Sequence, residues 1–243
     1  MSGSTSPSDA IRRNLELVAS LRRRAELTGE AEALRMVKRL QAARFRHTYA
    51  DFAARTRSAP AVRFFLEELY GEHDFSRRDE QFGRIAGALE RMFPAQVNRL
   101  AVDLTELHAL TEQLDHELAR RWLANEGLAS SMRYVHAWRE SGGREARSRQ
   151  LAVVLDMGRE LQRLTRVRSL RIALRMMRPA ARAAGLEALQ HFLETGFDAF
   201  AELAGDTDLF LQAIASREGV WIEDLFEGDV ALLVHRLDGC GFA

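Results

Sequence analysis

The chain has 243 residues, of which 47% are apolar and 29% charged, a composition that suits one large soluble domain or two small ones. Its 35 basic and 35 acidic side chains cancel, and its single cysteine, Cys240, excludes an intrachain disulfide and a thiolate zinc site. The opening "MSGSTSPSD" is polar with no apolar run behind it, and no stretch approaches the ~20 residues of a spanning helix, so a cytoplasmic setting with no membrane partner is expected.

Ala, Leu, Arg and Glu dominate, prolines are four, and apolar residues recur at threes and fours. Residues 1–9 read as a disordered start. Ile11, Leu15, Val18 and Leu21 mark a first helix that ends near Thr28-Gly29, and Leu34, Val37, Leu40, Phe45, Tyr49 and Phe52 a second. Pro60 fits the first turn of a third, with Gly71 as the residue just past its end. Ser76 and Asp79 have the spacing of an N-cap and its partner at the head of a fourth, which stops at Phe93-Pro94.

The longest segment, 95–125, carries Val97, Leu100, Leu104, Leu107, Thr111, Leu114, Leu118 and Trp122 as a near-heptad stripe, the mark of a central bundle helix. Tyr134, Val135 and Trp138 belong to a short helix closed by "SGG", and Gln150 through Leu164 to another long one. "SLRIALRMMRP" gives a further helix, broken or kinked at Pro179. Leu186 through Leu203 follows, and a short helix ends near Ser216. The ending is ambiguous: "VALLVH" fits a strand as well as a helix, and 220–226 reads as an exposed apolar stretch. The expected architecture is all-α, a single compact bundle of about eight to ten helices, with a bundle domain over 10–217 and an extension of open structure over 218–243.

Charge is laid down in blocks: +7 over residues 1–63, −6 over 64–126, +8 over 144–182 and −10 over 183–229. Blocks of this kind neutralise one another when helices pack antiparallel. Lys38 is the sole lysine; the other basic residues are Arg. The arginine stripe within 144–182 is the one feature that suits phosphate-led nucleic-acid binding, which the zero net charge makes an unfavoured reading.

Catalytic signatures are missing. No G-x-x-x-x-G-K-[ST], G-x-G-x-x-G or G-x-S-x-G occurs. His108, Glu112 and His116 recur at i, i+4 and i+8, so neighbours could share a metal, but the outer two lie about 12 Å apart along a helix, too far for one ion. No cofactor is expected. His47, His136 and His191 have aromatic neighbours and are the candidates for a haem ligand. Phe64, Phe65, Tyr70, Trp122, Tyr134 and Trp138, with Met157, Met176 and Met177, could wall an interior ligand site.

The stretch "FFLEELYG" followed by "DFSRRD" resembles the signature of an uncharacterised, mainly proteobacterial family of helical proteins. The matching positions are Phe64, Phe65, Leu66, Leu69, Tyr70, Gly71, Arg78, Asp79 and Pro94. "ALTEQLD" and "MMRPAARAAGLEALQHFLETGFDAF" resemble its later helices, including Arg178, Pro179, Leu189, Phe192, Leu193, Gly196 and Phe197. The resemblance covers roughly 35–215 and implies an all-helical domain without a known activity. The leading expectation is a non-enzymatic protein acting through an unknown protein partner or self-association, a homodimer included; the alternatives are an interior hydrophobic ligand, haem or metal, and weak nucleic-acid binding.

Overall fold

The computed structural model describes residues 6–69 and 74–242. Helix α1 (Pro7–Thr28) opens where Ser6 accepts a hydrogen bond from the Asp9 amide and closes on Gly29 at φ 75°, a left-handed turn that glycine adopts freely. It begins inside the stretch expected to be disordered, and Ser8 is already buried. Helix α2 (Ala31–Thr48) and the single turn α3 (Ala50–Ala53) follow, then α4 (Ala59–Phe64) with Pro60 in its first turn.

At the end of α4 the chain widens into a π-helical turn, Phe65–Leu69. Consecutive side chains on a helix point about 100° apart, and Phe64 and Phe65 enter different parts of the core. Phe64 tilts against Phe192 at 5.5 Å, while Phe65 stacks on Phe45 at 5.8 Å and meets Phe210 at 6.0 Å. Tyr70 and Gly71 lie outside the described residues.

Helix α5 (Ser76–Met92) does not start as expected: Phe75 occupies the cap position, Asp74 accepts from the Ser76 amide and hydroxyl, and Asp79 turns inward. Pro94 separates it from α6 (Ala95–Ala124), whose thirty residues span about 45 Å. Around this axis pack α1, α2, α7 (Ser130–Ser141) and α8 (Arg144–Thr165). Two short helices, α9 (Arg168–Met176) and α10 (Arg178–Ala183), break apart at Met177, so that Pro179 sits in the first turn of the second. Helix α11 (Glu187–Leu203) follows.

The final stretch departs from the expected extension. Helix α12 (Thr207–Glu227) runs past residue 217, and α13 (Val230–Leu237) occupies the segment that also fitted a strand. Asp229 decides it by accepting from the Leu232 amide at 3.0 Å, an N-cap that a strand could not use. Trp221, Leu225, Leu233, Leu237, Cys240 and Phe242 are buried with α2, α6 and α7, so the apolar ending is core. Among the described residues there is no strand, and ten helices have eight residues or more: α1, α2, α5 to α9 and α11 to α13.

Candidate functional site

An apolar cavity of about 390 Å³ lies between α5 and α6 on one side and α8 to α11 on the other. Its size falls within the ~300–1,000 Å³ of small-molecule sites. The space follows from small residues on facing helices: Ala88 and Ala101, Gly158, Ala173, Ala180, Ala181 and Ala184, and Gly196 all line it. Larger residues form the floor, among them Phe82, Leu104, Leu107, Met157, Leu189 and Phe197. Among the described residues of the lining, Gln190 is the one whose side chain carries a hydrogen-bonding group, and its amide nitrogen already donates to Leu174 O at 2.7 Å and Glu194 Oε1 at 2.8 Å. A polar atom placed here would lose its hydration without finding a partner, at a cost of about 1–3 kcal/mol. The wall is exposed at Met92, Ala173, Met177, Ala180 and Ala184, which sets the mouth between the end of α5 and α9–α10.

A polar niche of about 40 Å³ adjoins it and shares Phe65, Phe82, Leu104, Leu107, Val154 and Phe192 as wall. Asp79 is its centre. His108 Nε2 donates to Asp79 Oδ2 at 2.9 Å, Arg22 Nη1 reaches the same oxygen at 2.9 Å, and Arg78 Nη2 lies 3.3 Å from Oδ1. Arg78 also donates to Glu68 O at 2.9 Å, and its guanidinium is held between the rings of Phe75 and Phe192 at 4.3 and 4.6 Å. Burial alone would raise the Asp79 carboxyl; the hydrogen bond and charge of His108, with Arg78 and Arg22, outweigh it and hold the group below the usual carboxylate value. The resemblance singled out Arg78 and Asp79, and the spacing from Ser76 singled out Asp79 as a capping partner. What the sequence does not disclose is that Arg22 and His108 converge on the pair from α1 and α6.

The structure separates the three metal candidates. His108 faces Asp79, Glu112 receives Lys38 Nζ at 2.5 Å, and His116 Nε2 stands 3.8 Å from Glu112 Oε2. Among the described residues no three His, Cys, Asp or Glu side chains are grouped to hold an ion. Burial opposes Glu112 ionisation, but Lys38 prevails and its carboxyl lies low; burial also lowers the His116 imidazole despite Glu112. Deeper on α6, Asp115 accepts from Gln41 at 3.0 Å, and complete burial raises its carboxyl over the opposing charges of Arg147 and Lys38.

The proposed aromatic walls divide. Phe64, Phe65, Met157 and Met177 line the cavity; Met176 is exposed. Trp122, Tyr134 and Trp138 belong to a different cluster beside the C-terminal turn, where Phe242 meets Tyr134 edge-on at 5.1 Å. Burial pushes the Tyr134 phenol up to about 12. His47, His136 and His191 are exposed, which removes them as interior haem ligands. Arg178 donates through Nε to Glu194 at 2.6 Å and fixes α10 on α11, with Pro179 beside it. Within "MMRPAARAAG", Met177, Ala180, Ala181 and Ala184 line the cavity once α10 is placed on α11.

Fold and site together define an all-α bundle with a lipophilic interior chamber beside a buried ion cluster. The chain belongs to the family described as a domain of unknown function (DUF8198), whose family model matches residues 20–231. That match runs beyond the resemblance at both ends. Comparison with curated proteins and with solved structures gives no match. Among the described residues no helix is long and apolar enough to cross a membrane.

Proposed function

We propose that the protein is a non-enzymatic binder of a small apolar molecule, which it holds by a hydrocarbon-like segment between α5–α6 and α8–α11. The observation that carries this reading is the cavity itself: about 390 Å³, with one hydrogen-bonding side chain in its wall, already engaged. Such a wall selects against polar molecules and gains affinity from apolar area, at about 25 cal/mol per Å² removed from water. The test is titration with the neutral fluorophore N-phenyl-1-naphthylamine, with native mass spectrometry of gently purified protein alongside. Saturable probe binding is expected, and Ala101→Phe, which places a ring in the chamber, weakens it at least tenfold while the fold persists. Unsaturable binding, or binding indifferent to Ala101→Phe, overturns the proposal.

Protein contact in a regulatory or assembly role, within the cytoplasm, is the second reading. Leu209 and Val220 stand exposed about three turns apart on one face of α12, with Leu232 exposed on α13. A dimer or larger species in sedimentation that Leu209→Glu dissociates supports it; a monomer at all concentrations defeats the self-association form.

A further inference from the structure

Helix α9 stands apart from the other long elements because none of its residues is buried. One face, formed by Leu170, Ala173 and Leu174, roofs the apolar cavity. The opposite face is also apolar in part: Ile172 is 58% exposed and Met176 74%, one helical turn apart. Val167 precedes them at 45%, and Met92 stands 76% exposed across the mouth. Exposed apolar side chains are ordinary when scattered, but Val167, Ile172 and Met176 stand together on one short helix and the residue before it.

The segment that roofs the cavity carries charge of one sign. From residue 161 to 186 the chain carries seven arginines and no acidic residue. Arg171 and Arg175 turn toward Asp198, and Arg178 is spent on Glu194. Arg166, Arg168 and Arg182 are exposed and form no ion pair with a described residue. On the outer face of α9, Arg168 and Arg175 flank Ile172 and Met176, an arrangement that suits an element lying in an interface plane with its apolar side chains inserted.

We infer that α9–α10 is a docking surface for an anionic lipid bilayer. The surface lies on the membrane rather than across it, in keeping with the finding that no helix among the described residues is both long and apolar enough to span. Three observations select this partner over an acidic protein. The apolar side chains protrude and do not form a groove for a helix to fill. Arg166, Arg168 and Arg182 stand exposed with no ion pair to a described residue, so they are free to meet a diffuse anionic surface. The mouth of the cavity opens between Met92 and Met177 on this same side, and a bilayer is a source of apolar chains. The last argument rests on the proposed ligand site; the first two stand without it.

The experiment is co-sedimentation of the full chain with vesicles of phosphatidylcholine alone and of phosphatidylcholine with phosphatidylglycerol, at low and high salt. Binding to the anionic vesicles alone, reduced by salt, is expected. The pair Arg168→Glu and Arg182→Glu weakens partitioning by at least 25-fold, about fivefold for each arginine removed (roughly 1 kcal/mol per charge). The pair Ile172→Glu and Met176→Glu abolishes it. Neither pair touches the cavity lining, so uptake of the neutral fluorophore and the helical spectrum stay unchanged. Loss of fluorophore uptake in the parent with vesicle binding retained overturns the ligand site and leaves the surface standing. Absence of vesicle binding, equal binding to neutral vesicles, or binding that survives both pairs overturns the surface. Binding to soluble polyglutamate without binding to vesicles does the same, and assigns the face to an acidic protein.

Discussion

Replacing Asp79 by alanine tests whether the inward turn of this side chain organises the interior. Its carboxylate is about 8% exposed and meets three donors: His108, Arg22 and Arg78. Arg22 keeps a route to water at 24% side-chain exposure, so its loss is recoverable. Arg78 has no such route. It lies at 10% exposure between two aromatic rings, and without Asp79 its remaining anion is Glu68, 3.9 Å away. Breaking a buried pair by removing one partner costs about 3–5 kcal/mol because the other charge is left uncompensated. That is about a fifth or more of the roughly 5–15 kcal/mol that keeps a domain folded. For a chain of this length it corresponds to a melting temperature lower by about 6–20 °C. Urea denaturation of Asp79→Ala, Arg22→Ala and the double variant measures the loss and the coupling, which is expected to reach about 0.5–3 kcal/mol. Asp79→Asn retains one acceptor and loses less than alanine does. A loss below about 1 kcal/mol for Asp79→Ala, the value of a solvated surface pair, would refute the reasoning.

Three further perturbations probe other parts of the body. A methyl on Gly196 would stand 2.9 Å from Phe64 Cζ and 3.0 Å from Cε2, so Gly196→Ala sets about 1 kcal/mol of gained helix propensity against about 1–3 kcal/mol of overpacking; a net loss in thermal stability is expected, and a net gain shows that the ring yields. Burial holds the His116 imidazole below its ordinary value, so the unfolded chain takes up the proton first as the pH falls. Its contribution is full above about pH 6.5 and declines below, by up to 1.4 kcal/mol per unit until the folded value is reached. Denaturation on both sides of that pH should show a flatter slope in His116→Gln, and an unchanged slope sinks the assignment. Phe242→Ala removes a ring that is 2% exposed against Tyr134 and should cost about 3–5 kcal/mol; a cost under about 1 kcal/mol means the C-terminal turn is not core.

The central helix was legible because its evidence is local. Pro94 and Asn125 bound it, and one apolar stripe runs between them, as the structure shows for Ala95–Ala124. Gly29 closes α1 for an equally local reason, a backbone angle that other residues resist. Asp79 could not be read this way. Its spacing from Ser76 fits a capping pair, and nothing nearby reveals that Ser76 donates back to Asp74 instead or that Arg22 and His108 arrive from other helices. The segment "VALLVH" fails for a different reason: a short apolar run has no period to read, and the Asp229 cap decides its form. Of the expected aromatic and methionine walls, Phe64, Phe65, Met157 and Met177 line the cavity, but the volume was not legible. It arises from alanines and glycines on six helices, whose alignment is a property of the packing.

The blocks of charge tie the two layers of the molecule together. Part of the basic 144–182 segment is neutralised by the acidic one that follows, through Arg171 and Arg175 with Asp198, Arg178 with Glu194, and Arg144 with Glu227. The first block is matched in the same manner: Arg44 donates twice to Glu218, and Arg217 returns the favour to Asp51. Pairings of this kind draw arginines out of any continuous phosphate-binding stripe, which weighs against a nucleic-acid face. They also identify the remainder. Arg166, Arg168 and Arg182 are left over on the segment that roofs the cavity; residues 161–186 carry no acidic side chain of their own, and none of the three forms an ion pair with a described residue. Compositional bias toward arginine supplies the residue type, but it gives no reason for the unpaired ones to collect beside Ile172, Met176 and the mouth of an apolar chamber. A surface that must meet an anionic, apolar partner does.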